Sequence, residues 1–239
     1  MAEQFLPGVY RIPVRIGPIT WVNAYLIVRD EVVLIDTGLP KKVTAVRRAL
    51  ADAGRRAADV QHILITHHHV DHTGGLAELA QENDARVYVH PLDAPIVRGE
   101  VPIPGPSKNS APAKAMARLT RLLYPPHLEH VTTSHQLQDG EELPIAGGLR
   151  VVHSPGHTAG HVSFLMPDGD GVLFAGDAVG NLGRLGPPLG TYTEDMDEAK
   201  RSIAKLAQLE FDVACFGHGG VIEGRAAAKL RGLAEMLAS

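Results

Sequence analysis

Apolar residues in this chain follow two rhythms. Short, β-branched runs at residues 9–16, 19–28, 31–35, 62–65, 86–90, 149–153, 161–166, 171–175 and 212–216 predict strands. Pro13 interrupts the first and predicts an edge strand, because proline cannot donate to a ladder. The second and third meet at Arg29-Asp30, a predicted hairpin. A helical spacing appears at 41–53, through Val43, Val46, Ala49 and Leu50, and stops at Gly54. It recurs at 194–209, through Ile203, Leu206 and Leu209, and residues 223–237 predict a closing helix. No repeat and no linker interrupts the sequence, which predicts a single domain over 1–239.

One stretch breaks the rhythm. Between 91 and 126 stand eight prolines, which resist sheet formation. Within it, 113–124 has helical character, with Met116, Leu119 and Leu123 on one stripe. The segment reads as an insertion, either packed on the core or acting as a lid over a site.

Composition narrows the function. Apolar residues make up 44% of 239, enough for a sizeable core, and the formal net charge is -4. No Lys/Arg run offers a footprint for nucleic acid. Cys215 is the sole cysteine, so no intramolecular disulfide can form, and its place on an apolar strand predicts a core residue. No apolar stretch is long enough to span a bilayer, and the first residues do not resemble a signal peptide. These features predict a cytoplasmic protein acting on a small molecule, with no nucleic-acid or membrane partner. They leave oligomeric state open.

The candidate chemistry is concentrated at Thr66-His67-His68-His69-Val70-Asp71-His72-Thr73-Gly74-Gly75, a loop between the strand at 62–65 and a helical stretch at 76–80. A histidine-rich tract can be a loose metal binder or inert. In an extended segment alternate side chains share a side, so His67 and His69 point together and His68 away. Later strands end in the same way: Ser154-Pro155-Gly156-His157, Gly176-Asp177 and Gly217-His218 each put a ligand type beside glycine, where backbone can pass close to a metal. His67, His69, Asp71, His72, His157, Asp177 and His218 are too many for one tetrahedral ion and suit two that share a carboxylate. Histidine and carboxylate without thiolate favour zinc, with iron or manganese as alternatives. Asp36, in Asp36-Thr37-Gly38, either caps a turn or orients a ligand. His68 and His161 adjoin ligands and are candidates to support them.

With His67-x-His69-x-Asp71-His72, His157, Asp177 and His218 in that order, the chain resembles the metallo-β-lactamase superfamily. The resemblance also covers Asp36-Thr37-Gly38 and spans nearly the whole sequence. It implies a four-layer αββα sandwich with metals at one edge. It assigns His67, His69 and His157 to one ion, Asp71, His72 and His218 to the other, and Asp177 to both.

Two ions about 3.5–4 Å apart can share a hydroxide and clamp both oxygens of a displacement. Asp71 would orient that hydroxide and serve as the catalytic carboxylate. The expected enzyme is a dinuclear hydrolase of an ester, thioester or lactone. Alternatives are a mononuclear iron persulfide dioxygenase, leaving Asp71, His72 and His218 metal-free, a phosphodiesterase, or a non-catalytic metal binder. Glyoxalase II typically adds a helical C-terminal domain, whereas 21 residues follow His218 here. True metallo-β-lactamases lack the bridging aspartate. Acyl-homoserine lactonases commonly carry tyrosine three positions after it, where this chain has Gly180, and Tyr192 is not equivalent by position.

Overall fold

The computed structural model describes residues 1–16, 21–104, 128–167, 169 and 171–238. The helix expected at 113–124 lies outside them, as does most of the proline-rich stretch.

Fifteen strands are present among the described residues. They are β1 (Glu3–Leu6), β2 (Val9–Arg15), β3 (Trp21–Val28), β4 (Val32–Ile35), β5 (His62–Leu64), β6 (Arg86–Val89), β7 (His135–Gln136), β8 (Glu142–Leu143), β9 (Leu149–His153), β10 (Val162–Met166), β11 (Val172–Phe174), β12 (Gly180–Asn181), β13 (Leu185–Gly186), β14 (Val213–Cys215) and β15 (Ile222–Glu223). The first seven form one sheet in chain order. A second sheet runs β15-β14-β11-β10-β9-β8, and β12 pairs with β13 alone. In the first sheet β1 to β4 are antiparallel and β4 to β7 parallel.

Strand alternation divides the apolar residues into three cores, hence four layers. On β4, Val33 and Ile35 point inward, while Val32 and Leu34 point to the outer face. On β10, Phe164 points inward and Leu165 outward. The inward residues of both sheets share one core. The outer core of the first sheet is closed by the helix Thr44–Asp52, through Val46, Ala49 and Leu50, and by Leu76–Ala80, through Leu76 and Leu79. The outer core of the second is closed by Met196–Leu206 and Ala226–Ala238, through Ile203, Leu206, Leu230 and Leu233. This is the αββα sandwich that the resemblance implied. Central strands are buried on both faces, which is why they read as unbroken apolar runs.

One expectation is corrected. β2 is not an edge strand; β1 lies outside it. Proline is tolerated because β1 pairs no further along β2 than Arg11, so at Pro13 the strand has a neighbour on the β3 side only. Cys215 is fully buried in the shared core, as expected. No helix among the described residues is long and apolar enough to cross a membrane.

Candidate metal centre

The chain after β4, β5, β9, β11 and β14 emerges at one edge of the sandwich, and backbone hydrogen bonds join the two sheets there. Val162 N–H donates to Thr66 O at 2.8 Å, and Asn23 N–H to Gly217 O at 2.7 Å. This brings all seven ligand candidates together. His67, His69 and His157 form one group, Asp71, His72 and His218 another, and His67, His72 and Asp177 a third between them. In each group the ligand atoms lie within 4.8 Å of one another. Asp177 faces both outer groups: Oδ2 is 3.4 Å from His157 Nε2 and 3.4 Å from His218 Nε2, while Oδ1 is 3.6 Å from His72 Nε2. Asp71 Oδ2 is 3.4 Å from His218 Nε2.

The remote ring nitrogens test whether these residues fit a metal. Thr66 Oγ1 donates to Asp36 Oδ2 at 2.8 Å, so it accepts from His67 Nδ1–H at 3.0 Å. His72 Nδ1–H donates to Asp36 Oδ2 at 2.7 Å, and His218 Nδ1–H to Trp21 O at 2.8 Å. Thr193 Oγ1 donates to Leu189 O at 3.0 Å and therefore accepts from His157 Nδ1–H at 3.2 Å. Four rings thus commit Nδ1 as donor and aim Nε2 into the cluster, where a bound ion would take the place of any proton it carries. His69 Nδ1 stands 3.0 Å from His67 Nε2 and 3.0 Å from His157 Nε2. Three ring nitrogens converging this closely suit a cation placed between them. His72 Nε2 is buried without a hydrogen-bond partner. The donor set fits divalent metal with nitrogen and oxygen ligation.

Electrostatics divide the cluster. Burial, then the neighbouring rings, push His67 and His69 well below the ordinary histidine range. Burial lowers His157 to about 4. Burial opposes protonation of His72 too, but Asp36, Asp177 and Asp71 outweigh it and raise that ring to about 9. His218 goes up to about 11 against its own burial because Asp177 and Asp71 face it. Those carboxylates, despite burial, are held well below their usual range by His72 and His218.

The supporting residues have distinct places. Asp36, in the left-handed region at φ 59, also accepts from Thr66 N–H at 2.9 Å, so it orients a ligand and binds the loop start. His161 Nε2 accepts from Asp177 N–H at 3.0 Å, which makes Nδ1 a donor to Ser154 Oγ at 2.9 Å. The relay continues through Ser163 Oγ, at 2.8 Å, to Ala175 O, at 3.1 Å. His68 turns away, with Nδ1 3.1 Å from Asp93 Oδ2.

Several supports escaped the sequence analysis. Asn23 Nδ2 donates to Phe216 O at 2.9 Å and Gly219 O at 2.8 Å, and Tyr25 O–H donates to Phe216 O at 2.7 Å. The detectable signal was two hydrogen-bonding side chains, two apart, in an apolar strand. Tyr192, set aside by position, brings its ring to 6.2 Å from that of His69. At Gly217 a Cβ would lie 1.9 Å from Asp177 Oδ1, so only glycine fits.

A family model described as metallo-beta-lactamase superfamily matches residues 21–218. Probable metallo-hydrolase YflN of Bacillus subtilis is 31% identical over 207 residues, covering 81% of this chain and 77% of that protein. A hydroxyacylglutathione hydrolase of Halorhodospira halophila is 32% identical over 161 residues, covering 65% of this chain and 46% of that protein. Among solved structures, a metallo-beta-lactamase family protein of Thermus thermophilus superposes with a TM-score of 0.74 at 33% identity, covering 98% of this chain and 79% of that one.

Proposed function

The chain belongs to the metallo-beta-lactamase superfamily and is a metal-dependent hydrolase, and from that premise we propose that it binds two zinc ions and cleaves esters, thioesters or lactones. The observation that carries the proposal is the set of four histidines whose remote nitrogens are all committed as donors, on both sides of Asp177. His67, His69 and His157 would hold one ion, Asp71, His72 and His218 the other, and Asp177 both. The buried, partnerless Nε2 of His72 supports a filled second site and weighs against a single-iron dioxygenase.

When bound, the ions would acidify water to near neutrality and polarise the scissile carbonyl. The chain's own groups do the rest. Asp71 is 24% exposed against 14% for Asp177, so it is the carboxylate that incoming water and substrate meet. Its role is to accept a hydrogen bond from the attacking water and orient it. Asp177 stays ionised and keeps both groups of histidines on one charge. No serine or cysteine stands among the seven groups to act as nucleophile.

Substrate class rests on the surroundings. Among the described residues the cluster carboxylates pair with histidines and not with Lys or Arg. Tyr192 adjoins His69, and exposed Trp21 and Leu189 supply the carbonyls that anchor His218 and, through Thr193, His157. Such a margin suits an apolar acyl or aryl group. The hydroxyacylglutathione hydrolase likeness supports a thioester in particular.

The test pairs metal analysis with a substrate panel. Protein purified with zinc should hold close to two equivalents, and Asp177→Ala should weaken both. It should turn over aryl esters, thioesters or lactones ahead of phosphodiesters, with negligible β-lactam hydrolysis. One tightly held iron with no second ion, or efficient phosphodiester cleavage without any ester activity, would overturn the reading.

A further inference from the structure

Asp93 lies in the short link Pro91-Leu92-Asp93 between β6 and the helical turn Ala94–Val97, outside every motif that marks the metal centre. It is 2% exposed, and each contact of its carboxylate reaches one of two ligand-bearing loops. Oδ2 accepts from His68 N–H at 2.9 Å and from Thr158 Oγ1–H at 2.8 Å, and stands 3.1 Å from His68 Nδ1. Oδ1 accepts from Gly160 N–H at 3.0 Å. His68 sits between His67 and His69, and Thr158 follows His157. One buried carboxylate therefore grips the two loops that carry the first histidine group, and these loops extend from different sheets.

We propose that Asp93 is a positioning residue that staples the loop after β5 to the loop after β9, and so holds His67, His69 and His157 as one site. The second group hangs on other supports: Asp36 for His72, and Trp21 O, Asn23 and Tyr25 for the loop of His218. The fit around Asp93 leaves no slack. A Cβ on Gly160 would lie 2.4 Å from its Oδ1, 2.6 Å from its Cγ and 2.7 Å from its backbone nitrogen. Against its burial, His68 and Thr158 hold the carboxyl down at about 2, so the staple is ionised throughout the working range. A neutral amide cannot replace it. Whichever way the side chain introduced by Asp93→Asn turned, its NH2 would face a donor, either the Gly160 N–H or the His68 N–H.

The inference rests on the two-metal reading for what it positions, and one experiment separates the two. Metal-free wild type and Asp93→Asn are titrated with zinc against a competing chelator, with circular dichroism and urea unfolding recorded on both. The expected result is that one of two binding steps weakens by about 10–100-fold, the range for loss of a ligand's supporting partner, while the other stays within about threefold. Thr158→Val removes one bond only and should move the same step by less; it serves if Asp93→Asn does not fold. A residue that matters only for stability would lower the unfolding midpoint without splitting the two steps. Equal weakening of both steps, or of neither, overturns the proposal. Wild type that takes up a single ion refutes the two-metal reading instead, and Asp93 is then judged by whether that one step weakens.

Discussion

Tyr25→Phe removes one oxygen at the joint between the sheets. Tyr25 is 3% exposed, and its hydroxyl donates to Phe216 O at 2.7 Å and accepts from Phe216 N–H at 3.0 Å. Phe216 is itself 1% exposed and stands two residues before His218. In the variant the carbonyl keeps Asn23 Nδ2 as donor at 2.9 Å, whereas the N–H loses its partner. Orphaning a buried donor costs about 1–3 kcal/mol, and the lost second bond to the carbonyl about 0.5–1.5 kcal/mol. Phenylalanine fills the ring space, and the edge contacts with Phe5 and Phe174 survive. The expected destabilisation is thus about 2–4 kcal/mol, or roughly 4–16 °C in Tm for a chain of this size. Burial, foremost, keeps the phenol pKa well above 10, so the loss should be flat between pH 6 and 9. Urea unfolding of the metal-free protein reads it directly. A loss below about 0.5 kcal/mol would refute the claim that the hydroxyl satisfies Phe216.

Four other outcomes are expected. Gly217→Ala drives a methyl to 1.9 Å from Asp177 Oδ1 and 2.7 Å from His72 Cε1, so metal content should fall below one equivalent in elemental analysis; near-normal loading would show that the loop yields freely. Asp71→Ala should lower kcat by about 100-fold or more even at saturating zinc, because it removes the group that orients water; a change confined to KM would contradict that role. The Asp93 carboxyl is held below its unfolded value, so its contribution is present above about pH 4 and lost as pH falls toward 2. The stability gap between wild type and Asp93→Asn, about 2–3 kcal/mol at neutral pH, should therefore close over that window in acid-unfolding curves, and a gap that widens there would reverse the sign of the argument. Deleting residues 101–112 should change KM or acyl preference with metal content intact if the proline-rich segment covers the site; unchanged kinetics across the panel would reduce it to decoration.

What the sequence revealed, and what it hid, follows from how each signal is written in the chain. The ligands were readable because they follow apolar runs, with glycine directly beside His157, Asp177 and His218 and two residues after His72. The layers were readable only as strands and helices; which faces meet needed the alternation of β4 and β10 in three dimensions. Pro13 misled because an edge was inferred from one residue, whereas a strand can have a neighbour along half its length. Tyr192 was discounted by counting residues from Asp177, a distance that says nothing about a loop returning to His69.

The supports were hidden for a different reason: they pair across long stretches of sequence. His68 shows how far local reasoning reaches. Strand periodicity points it away from His67 and His69, into the body of the protein, and it is 1% exposed there. A buried imidazole needs partners, so the period that separates His68 from the metal also implies that something polar meets it. Periodicity cannot say what. Asp93 is what meets it: Oδ2 stands 3.1 Å from His68 Nδ1 and accepts from the His68 backbone N–H, and this residue follows His68 by 25 positions in the link after β6, where it looks like ordinary turn chemistry in the sequence. The same carboxylate also meets Thr158 and Gly160 from the other sheet. A residue that lacks a motif can thus shape the site as firmly as one within it, because its role is defined by three distant positions that only the fold brings together.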